Sequence, residues 1–243
     1  MSNERDFDID WQRFPALMAH DLKGPVGNMV LYTNLALEEI EGIEKLDPDA
    51  AEILKKVMTQ VHDSAEKMLF QVQSWVDAHF LMRGVYQKKE ELFDIQLLIE
   101  QVVEAVKSEY ALRSLKIQVQ QISSHKVLAD SQLLRNSLKN LLFTVALFAS
   151  YGDLIKLSGH VHEKEAVFDI DYPASPGMER VLARLRQDLN ANRHVDTTEG
   201  VLKTGVFGMI YTNLAITALQ GSIHLRDTGH RAAFGIVIPA EAH

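Results

Sequence analysis

The sequence predicts an α+β protein. An N-terminal antiparallel helical hairpin, paired with a second copy into a dimeric four-helix bundle, precedes an α/β sandwich. Three observations carry this expectation. Two long stretches of helical apolar periodicity open the chain, the pattern breaks at Arg83-Gly84-Val85, and short alternating segments mix with helical ones from there on. The expected division is residues 1–84 for the hairpin and 85–243 for the sandwich. A length of 243 residues is long for one domain, and 47% hydrophobic with 24% charged residues is an ordinary globular composition.

The first helical stretch runs from about Asp10 to Ile43, interrupted only by Pro15 and the group Gly24, Pro25, Gly27. GIEKLDPDA then supplies turn chemistry, with Asp47 placed to cap a helix opening at Pro48. That second helix reaches about Arg83. Leu54, Val57, Val61, Ala65, Met68, Val72 and Trp75 step by three and four, which is a bundle seam. Two helices of roughly 50 Å each have too few neighbours to bury such a seam, so a homodimer is expected. The alternative is a bundle closed by the rest of the same chain.

Beyond the break, Glu91–Phe93 reads as a short strand and Ile95–Tyr110 as an amphipathic helix. KIQVQQI within Leu115–Ile122 has the period of a strand, and Asp130–Ser150 is helical again. Asp153–His160 and Ala166–Tyr172 read as strands, Gly177–Leu189 and Gly205–Leu219 as helices. The end is a hairpin turning near Asp227-Thr228-Gly229.

Composition excludes several function classes. A net charge of −8 argues against a general nucleic-acid binder. No apolar run approaches a membrane span, and the first ten residues lack a signal-peptide core, so no membrane insertion and a cytoplasmic location are expected. With no cysteine there is no disulfide, thiolate metal site or thiol nucleophile.

The segment FPALMAHDLKGPVGNMVLYTNL, Phe14–Leu35, carries the sharpest motif: His20, Asp21, Leu22, Lys23, Gly24, Pro25 behind apolar Phe14, Leu17 and Met18. It resembles the phosphoacceptor box of sensor histidine kinases, in which a histidine and an acid are followed by Thr or Asn and then Pro. The resemblance implies that His20 accepts a phosphoryl group and that Asp21 orients the imidazole. Lys23, about one turn on, would steady the incoming charge. Gly24 stands where the family often has the Thr or Asn that positions a hydrolytic water, so phosphatase activity by that route is expected to be weak or absent.

The rest of the chain resembles the ATP-binding domain of the same kinases in outline. Val127–Ser150 is similar to its strand-to-helix start and asparagine box, and Thr204–Pro239 to its last glycine box, helix and closing hairpin. The implied nucleotide-site residues are Asn140, Thr144, Asp171, Gly205 and Gly208. Each box is altered. The second asparagine, the family's magnesium ligand, is Thr144. DYPASPGM replaces Asp-x-Gly-x-Gly: if Gly177 is its second glycine, Pro173 and Ser175 take the other positions; if Asp171 is the aspartate, both glycines are lost. TGVFGM keeps Gly205 and Gly208 but places Phe207 between them. The intervening segment, Asp188–Lys203, would be a lid, with Arg193 and His194 as candidate phosphate contacts; the alternative is a polar, solvated loop.

The expectation is therefore a histidine phosphotransferase of phosphorelay signalling, passing a phosphoryl group on His20 between response-regulator receiver domains. No cofactor and no metal site are expected. An active, divergent kinase using ATP and magnesium is the alternative, and a non-catalytic dimeric scaffold the third. Only about a dozen residues precede the hairpin, so any input signal is expected to arrive through a partner.

Overall fold

The computed structural model describes residues 22, 24–29, 31–32, 35–36, 48–122, 125–173, 206–227 and 230–240. These form two compact units that divide between Val76 and Asp77, inside a helix and ahead of the break at Gly84. That helix, α1, spans Pro48–Met82, about 50 Å at 1.5 Å per residue. It opens at the expected proline and stops at Gly84, whose positive φ of 65° a side chain would resist. Val57 and Trp75 of the expected seam are buried and Leu54, Val61, Ala65 and Met68 half-buried, whereas Val72 is 40% exposed. A neighbouring stripe, Met58, Leu69, Val76 and Phe80, stands in solvent. Of the first helical stretch, residues 24–29, 31–32 and 35–36 are helical.

The second unit is a mixed sheet covered on one face by helices. Its elements are β1 (Glu91–Asp94), α2 (Ile95–Leu112), β2 (Lys116–Ile122), β3 (Lys126–Ala129), α3 (Ser131–Phe148), β4 (Leu154–His162), β5 (Glu165–Pro173), α4 (Val206–Ala218), β6 (Ser222–Asp227) and β7 (Arg231–Pro239). The expected helix at Gly177–Leu189 lies outside the described residues. The main sheet runs β2-β4-β5-β7-β6, with β2 and β4 parallel and the other neighbours antiparallel. β1 and β3 form a separate antiparallel pair that sets Leu92 opposite Leu128.

Strand alternation decides which residues meet the helices. Along β5, Ala166, Phe168, Ile170 and Tyr172 are buried, while Val167, Asp169 and Asp171 point the other way. The buried side is the helical side. A methyl group at Gly159 would come 2.6 Å from Ile99 and 3.0 Å from Ile95 of α2, and 3.1 Å from Phe168. On the opposite face, Arg226 pairs with Asp169, and Arg231 Nε donates to Asp171 at 2.7 Å. The charge there is cancelled across strands.

The helical layer is tied by side chains that reach neighbouring backbone. The Tyr110 hydroxyl donates to the Leu142 carbonyl at 2.9 Å, and Arg113 donates to the Ala146 carbonyl at 2.9 Å. Burial pushes the Tyr110 hydroxyl well above the usual phenol range. Helix α4 is apolar nearly all round, and residues 208–216 are buried, as such a helix must be.

Asp94 caps α2 by accepting from the amides of Gln96 (2.7 Å) and Leu97 (3.2 Å). Asp130 caps α3 through the Leu133 amide at 3.0 Å, and it does more. Its second oxygen accepts the Lys89 amide at 2.8 Å, and it also accepts the Tyr86 hydroxyl. Buried Asp77 and Tyr211 adjoin this cluster, with the Tyr211 hydroxyl beside Asn136. Partial burial, with Asp130 and Asp77 nearby, pushes the Tyr86 hydroxyl up to about 12.

Three outcomes are expected from this packing. Gly221→Ala forces a methyl group to 2.3 Å from the Val237 carbonyl, a backbone atom that cannot swing away. It should cost about 1–3 kcal/mol, read as a lower urea midpoint at unchanged m-value. Asp130→Ala removes a cap and leaves the Lys89 amide without its acceptor, for a loss of about 2–4 kcal/mol, whereas Asp130→Asn should lose less. The Tyr86 phenol is held protonated in the folded state, so the unfolded chain loses that proton first as pH rises. Stability from this group is complete below pH 10 and drains away between 10 and about 12. Denaturation of Tyr86→Phe against the parent over that window measures its share.

Candidate functional site

His20, Asp21 and Lys23 lie outside the described residues, as do Gly205, Ser175, Gly177 and the segment 188–203 that includes Arg193 and His194. What is described of the motif is its downstream side. Residues 24–29 continue as helix through Pro25, with Val26 exposed and Leu22 and Met29 half-buried. Among the described residues, a methyl group at Gly24 would meet nothing within 4 Å.

In the second unit, Asn140, Thr144 and Gly208 are gathered where α3 meets α4. Asn140 and Thr144 share a face of α3 because they are four residues apart. Asn140 is 5% exposed and its amide nitrogen donates to the Asn136 carbonyl at 2.9 Å. Thr144 is 1% exposed and its hydroxyl donates to the Asn140 carbonyl at 2.9 Å. Gly208, in the first turn of α4, lies so close that an added methyl group would sit 3.2 Å from Asn140 Oδ1. One turn on, the Thr212 hydroxyl donates to the carbonyls of Gly208 (2.7 Å) and Ser137 (3.3 Å). With Ser137 and Asn213 also buried, the contact between the helices is a polar seam.

This arrangement bears on the altered boxes. Magnesium takes about six oxygens in near-octahedral geometry and keeps several waters, so its protein ligands need access. As magnesium donors, Asn140 and Thr144 fit poorly because both are buried, 5% and 1% exposed, where a hydrated ion has little access. Asp171 is not brought to them. It lies on the helix-free face of the sheet and holds Arg231. Among the described residues there is no group of three or more His, Asp or Glu side chains placed to hold a metal ion, and no helix long and apolar enough to cross a membrane.

The sequence reading missed the polar cluster of Tyr86, Asp77, Asp130, Asn136 and Tyr211. Part of it had a signal, since an aspartate just before an apolar-periodic helix is a cap. Nothing local marks Tyr86 as its partner across more than forty residues.

No family model matches the sequence, and no curated protein does. Solved structures with the same fold do exist. The Acinetobacter baumannii histidine kinase AdeS superposes with a TM-score of 0.55 at 18% identity, over 91% of this chain and 98% of that one. Full-length ShkA in complex with AMPPNP gives 0.54 at 18% identity, over 94% of this chain and 46% of that one. The histidine kinase ThkA in complex with the response regulator TrrA gives 0.53 at 13%, over 93% and 60%. The nucleotide-free catalytic domain of ThkA alone matches 63% of this chain at 0.53 and 16% identity. These neighbours are histidine kinases, and the chain has their fold, with a mixed sheet like that of their ATP-binding domain.

Proposed function

We propose that this chain is a histidine phosphotransferase of a phosphorelay, in which His20 carries a phosphoryl group between receiver domains of response regulators without nucleotide. The observation that carries the reading is the closed contact at Asn140, Thr144 and Gly208. Asn140 and Thr144 are buried and bond back to carbonyls of their own helix, and Gly208 of α4 packs directly against Asn140. A fold kept while its ligand groups are turned inward retains value as a support for the phosphotransfer helices.

In the proposed step a ring nitrogen of His20 attacks the phosphorus of a receiver aspartyl phosphate. The N–P bond forms as the P–O bond to the aspartate breaks, and the carboxylate leaves with that electron pair. Asp21 holds the proton on the other ring nitrogen, and Lys23 offsets the charge of the transferring group. The reverse step on a second receiver completes the relay. The resemblance to ThkA, whose structure was solved with a response regulator, supports a receiver as the partner.

Dimerisation belongs to the same proposal. The exposed stripe Met58, Leu69, Val76 and Phe80 follows helical spacing on α1, and Leu69 is 67% exposed. A second copy covering that stripe completes a four-helix bundle. Residues 1–84 are proposed as the phosphotransfer hairpin and 85–243 as a degenerate kinase-type domain.

A second reading, an active divergent kinase, is favoured by the likeness to ShkA, solved with a nucleotide analogue, and by the retained Asn140. Calorimetry with magnesium separates the two. The phosphotransferase reading expects no heat up to millimolar ATP, an affinity weaker than about −4 kcal/mol, and micromolar binding overturns it. Incubation with a phosphorylated receiver should label His20 and not His20→Ala, while Asn140→Ala keeps transfer at the parent rate. A scaffold would keep its biological effect in His20→Ala. Leu69→Glu combined with Val76→Glu should shift the dimer to monomer by light scattering, with the circular dichroism of the sheet unchanged.

A further inference from the structure

The main sheet ends in two edge strands, β2 and β6, and they differ. On β6, Ile223 and Leu225 are buried and Arg226 is held by Asp169. On β2 the helical layer stops short. Ile117 and Val119 pair with Ile155 and Leu157 of β4, which are fully buried, yet Ile117 is only half-buried and Val119 is 38% exposed. The other side of β2 carries Lys116, Gln118 and Gln120, all exposed, with Lys156 beside Gln118. Lys116 is the one charge in KIQVQQI, and Asp171, opposite Lys156 on the far side, is already held by Arg231. The edge is thus apolar on one face and basic on the other.

The backbone decides which groups of β2 face outward. The Lys116 amide donates to the Asp153 carbonyl at 3.0 Å, a bond of the parallel ladder with β4. Alternation then turns the backbone groups of Gln118 and Gln120 toward β4 as well, and directs those of Ile117 and Val119 to the free edge. Gln121, with a φ of 43°, and the register shift beside it end the regular stretch, so Lys116–Gln120 is the length on offer. Such a row of donors and acceptors takes up an extended segment by strand addition.

The chain contains a segment of the matching pattern. Asp6-Phe7-Asp8-Ile9 lies outside the described residues and alternates acid with apolar. Extended, it carries Phe7 and Ile9 on one side and both carboxylates on the other. We propose that this segment of the same chain adds to β2 as a sixth strand, with Phe7 and Ile9 beside Ile117 and Val119 and the aspartates on the side of Lys116 and Lys156. In either strand direction, matching the apolar residues sets Asp8 opposite Gln118. Covalent tethering favours the chain's own segment over that of another molecule. The docking uses none of the chemistry at His20, so it can fail or hold independently of the phosphotransferase reading.

The test uses the full chain with Phe7→Asn and Ile9→Asn, which keep its length and charge. Hydrogen exchange at the amides of Ile117 and Val119 should rise about tenfold or more, with the Gln118 amide unchanged. Unchanged exchange at Ile117 and Val119 overturns the proposal. So does a rise that extends equally to Gln118, which marks a general loosening of the sheet. A second measurement identifies the occupant. Because the chain has no cysteine, Asp8→Cys and Gln118→Cys supply the only two thiols. Mild oxidation should join them within one chain, seen as a monomer band of altered mobility on a non-reducing gel, while Asp8→Cys with His224→Cys on β6 stays reduced. A disulfide-linked dimer formed by the double variant and by neither single variant gives the edge to a second copy's segment and overturns docking within the chain. Equal joining at both edges also overturns it, as random collision of the segment.

Discussion

Much of the second unit depends on the Asp130 carboxylate. It is 1% exposed and is satisfied by donors from two directions, the start of α3 and the linker that follows α1. A buried charge is tolerable only when hydrogen-bonded so fully, and each bond fixes a separate piece of backbone. The capped helix then sets Asn136, Ser137, Asn140 and Thr144 in line along the seam with α4. Next to it, the Ser131 hydroxyl donates to Glu91, which brings β1 to the same corner. Helix start, linker and small sheet are thus organised around a single acidic side chain.

The α3–α4 seam follows from that alignment. Asn, Ser and Thr lower helix propensity because they compete for backbone hydrogen bonds, yet here several are buried on facing surfaces. Ser137, Asn140, Thr144 and Thr212 are tolerated because they return a hydrogen to a carbonyl one turn back, those of Leu133, Asn136, Asn140 and Gly208. Small side chains and Gly208 let the helices approach closely. The same residue types that serve a ligand site when exposed serve a helix contact when covered, and burial separates the two uses.

The elements were largely legible in the sequence. KIQVQQI and AVFDIDY alternate too cleanly for anything but strands, and the three-and-four spacing that opens at Pro48 could only be a long helix. Even the placement of Asp171 had a signal, since it alternates with Phe168, Ile170 and Tyr172 and so must face away from them. Sequence could not say which face the helices cover. Helical periodicity runs through α1 without interruption, so spacing alone carries no mark of the division between Val76 and Asp77. Val72 shows the limit of a seam read from spacing: its step is right, but its burial depends on what lies opposite.

One-sided covering of the sheet makes its two faces answer differently to the ionic medium. The face under the helices is held by apolar area, which excluded salts such as sulfate strengthen. On the open face, Arg226 with Asp169 and Arg231 with Asp171 are partly solvated pairs that mobile ions screen, the more so as the Debye length shrinks below about 10 Å. Added salt therefore tightens one side of the same strands and slackens the other, and the net response of the fold is the difference between two opposed terms.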